Sequence, residues 1–222
     1  MNNNWDMSKY DVIFFDLDGT LTDPSMEMVS SAVYALQKCG IASPDKAKLQ
    51  KFLTEPLLEC FEQHFGMTQE QANEAFNHYW QYYATQGISR NKPYNGVPEL
   101  LDKLSEQGKI MCVATARQTE NAVGVLAATG LTRYFTHILG ASNDMSRRTK
   151  KMIIFDLIAS IGEHDMEKII MVGDRTADIL GAQANGIDTI GVTWGQDSQD
   201  EIKATNPTYM ANSVKEMADL LL

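Results

Sequence analysis

Cysteine is scarce. Cys39, Cys60 and Cys112 are odd in number, far apart and without CxxC spacing, which excludes a disulfide framework and offers no zinc site by spacing. Basic charge is in deficit, with 19 Lys and Arg against 29 Asp and Glu and a formal net charge of -10. Neither a nucleic acid polymer nor an anionic membrane is therefore expected as a partner. No apolar run approaches the roughly 18 residues of a membrane span. The opening MNNNWDMSKYD lacks a basic region followed by an apolar stretch, so a cytoplasmic protein is expected. The four histidines, His64, His78, His137 and His164, have no metal-ligand spacing and are assigned no role.

What is present is an ordinary globular composition, 44% hydrophobic and 22% charged over 222 residues. That length suits one large domain, or one domain carrying an insertion. The chain is organised around VIFFDLDGTL, Val12 to Leu21. Four consecutive apolar residues suit a strand buried on both faces, and they run directly into Asp16 and Asp18. Gly19-Thr20 then turns the chain out of the sheet. Asp23 reads as an N-cap with Pro24 at the first helical position.

Residues 24 to 86 carry only helical signals. Met26, Val29, Val33 and Leu36 recur at helical spacing up to Gly40; short helices are expected over 45–53 and 57–65. A longer one follows Thr68 and Gln71, which have capping-box spacing. Phe76, Tyr79, Trp80, Tyr82 and Tyr83 fit packing between helices better than stacking on a nucleobase. After the linker GISRNKPYNGVP the pattern alternates: helix 97–107, strand 109–114, helix 120–129, strand 136–139, helix 151–161, strand 168–172, helix 177–184 and strand 188–192. An edge strand over 208–210 and a terminal helix over 214–222 close the chain. This order predicts an α/β fold, a Rossmann-like parallel sheet with helices on both faces. The core is expected over 1–22 and 88–222, with a helical cap inserted at 23–87.

In such a sheet, ligands bind beyond the carboxyl ends of the strands. There the sequence puts Asp16 and Asp18, then Thr115-Ala116-Arg117, then Gly173-Asp174 with Asp178 in the first turn of the next helix. Four carboxylates in one crevice need a counter-charge, and hard oxygen ligands favour Mg2+. A phosphate there would want the Thr115 hydroxyl, free N–H groups after Asp16 and a lysine; Lys150 and Lys151 are both suppliers. Arg117 is expected to hold a substrate anion or to sit in a surface ion pair.

These motifs, DLDGTL at 16–21, the Thr115 strand end, a lysine at 150 or 151 and GDRTAD at 173–178, resemble those of the haloacid dehalogenase-like superfamily over nearly the whole chain. The closest likeness is to its phosphoglycolate phosphatase and 5'-nucleotidase-like branch with an α-helical cap. The resemblance implies a Mg2+-dependent phosphatase acting on a small phosphorylated metabolite through an aspartyl phosphate. It implies Asp16 as nucleophile and Asp18 as general acid and base. Metal ligation falls to Asp16, the Asp18 carbonyl and Asp174, with Asp178 a ligand or outer partner. Thr115 and Ala116 would hold the phosphoryl oxygens with Lys151, preferred over Lys150 from the spacing of Arg148 and Ile154. Where relatives carry a glycine-proline substrate loop, this chain has Thr54-Glu55-Pro56-Leu57, which would place an acid near an anionic substrate. A phosphomutase and a non-catalytic metabolite-binding protein are the alternatives. Monomer and homodimer both stay open.

Overall fold

The computed structural model describes residues 9–53, 55–144 and 146–222. Most of the opening segment and Thr54 of the substrate-loop segment lie outside the described residues. The chain divides into two compact units, one comprising the residues up to Asp23 with Pro93–Leu222, the other Pro24–Lys92. The inserted unit thus runs on to Lys92, where the sequence reading ends it at 87.

The larger unit is built on a six-stranded sheet with every neighbouring pair parallel. Its strands are β1 (Val12–Phe15), β4 (Ile110–Gln118), β5 (His137–Ala141), β6 (Ile169–Gly173), β7 (Asp188–Val192) and β8 (Tyr209–Ala211), in the order β5-β4-β1-β6-β7-β8. The two-residue strands β2 (Thr22–Asp23) and β3 (Lys92–Pro93) lie at the chain's exit from this unit and its return. All four β1 residues are buried, which is why the sequence shows no alternation there. Burying Phe14 and Phe15 contributes about 1.5–3 kcal/mol each. Helices α5 (Val97–Glu106), α6 (Thr119–Thr129), α7 (Lys150–Ile161), α8 (Thr176–Gln183), α9 (Gln199–Ala204) and α10 (Val214–Leu221) flank the sheet. Ile153, Ile154 and Leu157 of α7 pack against Phe14, Ala114 and Met171. The sequence reading lacks α9, although Ser198 and Glu201 make a full capping box before it.

The inserted unit has a core of Ala32, Ala35, Leu36, Phe61, Ala75 and Tyr79. Its long helices are α1 (Ser25–Lys38) and α4 (Gln69–Thr85). Thr68 and Gln71 form the expected capping box. Pro24, not Asp23, occupies the N-cap position of α1, with no side-chain cap; Asp23 stays extended in β2. The two middle helices are also less regular than expected. Asp45 caps α2 (Lys46–Leu49), which tightens into a 3-10 turn over Gln50–Leu53, and α3 (Leu57–Glu59) widens into a π-helix over Cys60–His64. Tyr79, Trp80 and Tyr83 contact one another, in keeping with a packing role.

Candidate active site

Strand β1 lies between β4 and β6, with Phe15 level with Val113 and Val172. Asp16 continues that ladder, its N–H donating to the Val172 carbonyl at 2.8 Å. Gly173 ends β6 and Asp174 leaves the sheet beside it. Asp178 is the third residue of α8, where its Oδ2 accepts from the Arg175 N–H at 3.1 Å. Carboxylate oxygens of Asp16, Asp174 and Asp178 all lie within 4.8 Å of one another, and all three residues are buried.

The Asp174 carboxylate is fixed from several sides. Its Oδ1 accepts from the Thr20 hydroxyl at 2.7 Å, and its Oδ2 from the Gln196 N–H at 2.8 Å. A Cβ on either Gly19 or Gly195 would lie 2.2 Å from Asp174 Oδ2, so only glycine admits such close approach. Gly19 also has φ of +90°. The loop after β7 was not read from the sequence as part of the site. It supplies Gly195 and Gln196, and Asp197 accepts from the Thr176 N–H at the start of α8 at 2.7 Å. Its only sequence signal is Gly195 just beyond a buried strand.

The lysine in the crevice is Lys150, which corrects the preference for Lys151. Lys150 Nζ lies 2.7 Å from Asp16 Oδ1 and 2.6 Å from Asp178 Oδ1, and donates to the Ala114 carbonyl at 2.7 Å. Lys151 is exposed. Thr149 caps α7, its hydroxyl accepting from the Met152 N–H, so the helix starts one residue earlier than expected. Consecutive helical residues point about 100° apart, and only one of the two lysines can turn toward the sheet. Burial works to lower the Lys150 pKa, but Asp16 and Asp178 more than reverse this and it stands above its ordinary value.

Asp18 stands apart from the three-acid cluster. Arg117 grips its carboxylate with two hydrogen bonds, Nε to Oδ2 and Nη2 to Oδ1, each 2.8 Å. The Arg117 side chain is only 4% exposed, so the pair is not the expected surface contact; bidentate geometry orients the Asp18 carboxylate as well as attracting it. β4 does not end at Ala114, just before Thr115, as read from the sequence. It runs to Gln118 with a register shift between Ala114 and Gln118. Within that irregular stretch Thr115 is buried and its Oγ1 accepts from the Arg117 N–H at 3.2 Å, while Ala116 is exposed.

Electrostatics make the cluster suited to a cation. Burial first, then the charge of Asp16, pushes both Asp174 and Asp178 up to about 7. Three carboxylates against one ammonium leave a negative surplus. Asp16 Oδ1 and Asp178 Oδ1 share a single ammonium, that of Lys150, at 2.7 and 2.6 Å. A buried surplus of carboxylates over cations calls for a further positive partner. An all-oxygen donor set fits a hard divalent ion.

A family model described as haloacid dehalogenase-like hydrolase matches residues 13–192. The chain belongs to this family. Among curated relatives of this hydrolase, a Pseudomonas aeruginosa protein named 5'-nucleotidase is 38% identical over 213 residues, covering 96% of each chain. A Mycobacterium tuberculosis protein named tyrosine-protein kinase PtkA is 34% identical over 202 residues, 91% of this chain and 68% of that one. A crystal structure of a candidate phosphatase from Clostridium difficile superposes with a TM-score of 0.87 at 39% identity, covering 96% of this chain and 99% of the other. The fold of this chain, the parallel six-stranded, Rossmann-type sheet described above, is that of the family, and its helical insertion is consistent with these neighbours. Among the described residues, no helix is long and apolar enough to cross a membrane.

Proposed function

We propose that this hydrolase is a Mg2+-dependent phosphatase that cleaves a small phosphomonoester through an aspartyl phosphate on Asp16. The observation that carries the reading is the buried cluster in which Asp16 meets Asp174, Asp178 and Lys150 at the end of β1. A carboxylate nucleophile divides one difficult hydrolysis into two easier steps. In the first, an Asp16 oxygen bonds to phosphorus, the ester P–O bond breaks, and Asp18 gives the leaving oxygen a proton. In the second, Asp18 takes a proton from water, which attacks phosphorus and frees Asp16 and inorganic phosphate.

Asp16, Asp174 and Asp178 would hold the ion, with the Asp18 carbonyl as a further oxygen. When bound, Mg2+ supplies positive charge against the phosphoryl oxygens. Lys150 adds a second positive charge beside Asp16, and the Thr115 hydroxyl, with the backbone at Ala116, offers hydrogen bonds to the phosphoryl group. Arg117 holds Asp18 in place, and one of its two contacts must open when Asp18 carries a proton. The inserted unit acts as the cap in this reading, and its residues select among substrates such as nucleoside monophosphates and phosphoglycolate.

A phosphotransferase would share the first step, as the kinase name of one relative at 34% identity illustrates, and so would a phosphomutase. The deciding experiment is a release assay over phosphoglycolate, nucleoside 5'-monophosphates and sugar phosphates, with Mg2+ or chelator. The expected result is free phosphate from at least one substrate with Mg2+. Asp16→Asn should lower turnover roughly ten-thousand-fold or more with the fold retained. Phosphate appearing on an acceptor or isomerised sugar instead of in solution would overturn the hydrolytic reading. Near-normal activity in Asp16→Asn would remove Asp16 as nucleophile.

A further inference from the structure

The inserted unit contains a second group of metal-ligating side chains. Glu55, Cys60 and His64 each offer one ligand atom, a carboxylate oxygen, Sγ and a ring nitrogen, all within 4.8 Å of one another. Cysteine and histidine spacing does not reveal this group, because its third member comes from before the helical turn. Cys60 and His64 are the first and last residues of the π-helix, four apart and so on one side of it. Glu55 is brought back onto them, with His64 Nε2 2.6 Å from Glu55 Oε2 and the Cys60 thiol donating to the Glu55 carbonyl at 3.8 Å. A π-helical turn departs from the regular hydrogen-bond ladder, and such turns are frequently found at functional sites.

The geometry points to a binding site for a borderline divalent cation of the Zn2+ class at Glu55, Cys60 and His64. Thiolate, imidazole and carboxylate are each donors such an ion takes, and three protein ligands leave a position for water. They contrast with the all-oxygen set around Asp16. The site is reachable, since the Glu55 and His64 side chains are 32% and 26% exposed, while Cys60 closes it from the core. Binding requires two local changes. The short contact between His64 and Glu55 Oε2 opens to admit the ion, and Cys60 releases its thiol proton to solvent. Lys51 occupies the other Glu55 oxygen, Oε1, at 3.0 Å, leaving Oε2 for the metal. The bound ion would cross-link Glu55 to the π-helix across the least regular part of the insert, a stabilising role independent of phosphate chemistry.

The test is a titration of the full chain, stripped with chelator, with Co2+ in excess Mg2+. A thiolate-to-cobalt charge-transfer band should saturate at one equivalent and be displaced by Zn2+, and Zn2+ should raise the thermal midpoint. Cys60→Ser should abolish the band. Because Cys60 is fully buried and that variant can unfold, His64→Gln and Glu55→Gln serve as partly exposed alternatives. Each should weaken cobalt at least about tenfold, the loss that follows removal of even an outer partner of a metal ligand. No thiolate band in the folded wild-type chain overturns the proposal. So does a band that survives Cys60→Ser, or one of unchanged affinity in both His64→Gln and Glu55→Gln.

Discussion

The two clusters in this chain are built on opposite plans. In the larger unit, Asp16, Asp174 and Asp178 are buried, share one kind of donor atom and gather charge that a single lysine does not balance. In the inserted unit, Glu55, Cys60 and His64 mix three kinds of donor, and two of the three side chains are partly exposed. The first is held in tension by the fold. Strand ends, a helix N-terminus and two glycines force like charges together, which proteins sustain when a cation or a reaction uses them. The second is satisfied as it stands, because Glu55 is already paired with His64 and Lys51. Repulsion maintained by buried scaffolding is what the proposed phosphate chemistry would use, whereas a metal at the insert's cluster would, in the proposal above, only add stability.

The largest effect expected on this contrast comes from the lysine. Lys150→Met leaves buried carboxylates with no cation and should lower stability by about 3–5 kcal/mol in metal-free protein. Lys151→Met, one residue away and exposed, should stay within about 0.5 kcal/mol. Denaturant unfolding of both variants checks this, and equal losses would mean that the crevice does not depend on its ammonium. Gly195→Ala is next. Its methyl would press on the Asp174 carboxylate and should cost about 1–3 kcal/mol, with weakened Mg2+ binding visible in a metal titration.

The most discriminating difference is in pH. Asp174 and Asp178 titrate near 7 in the folded chain, against about 3.8 as ordinary carboxylates. Between those values the folded protein holds protons that the unfolded chain has lost. Raising the pH through about 4 to 7 should therefore reduce the stability of chelator-treated protein, and Mg2+ should restore most at the alkaline end. Glu55 behaves with the opposite sign. His64 and then Lys51 hold it below its ordinary 4.5, so its contribution is present above that value and fades as the pH falls further. Thermal midpoints measured over this range for wild type, Asp178→Asn and Glu55→Gln separate the two. A wild-type midpoint that rose from pH 4 to 7 without metal would contradict the buried, repelling cluster.

Much of the fold was legible because local chemistry and tertiary position agree there. The unbroken apolar run before Asp16 suits an interior strand and forms one, and the Thr68–Gln71 box marked its helix start correctly. Legibility failed where a choice depends on how one element rotates or where a distant segment returns. Asp23 looked like a cap but was kept extended in β2. α9 was overlooked because its six residues carry too little periodicity. Arg117 reads from the sequence as either a substrate-anion ligand or a surface ion pair, because nothing local shows that an irregular β4 carries its guanidinium back to Asp18.

The sequence by itself determined the alternation of strands and helices, the place where the insert interrupts it, and the pairing of DLDGT with GDRTAD that marks the family. Those depend on residue type at short range, where periodicity and turn chemistry act. Packing decided that Lys150 rather than Lys151 enters the crevice, because α7 turns inward the face that carries Lys150, Ile153, Ile154 and Leu157. It alone decided that Gly19 and Gly195 close on Asp174, and that Glu55 returns to Cys60 and His64. In each case atoms far apart or differently phased along the chain meet through packing, and packing has no signature in residue spacing.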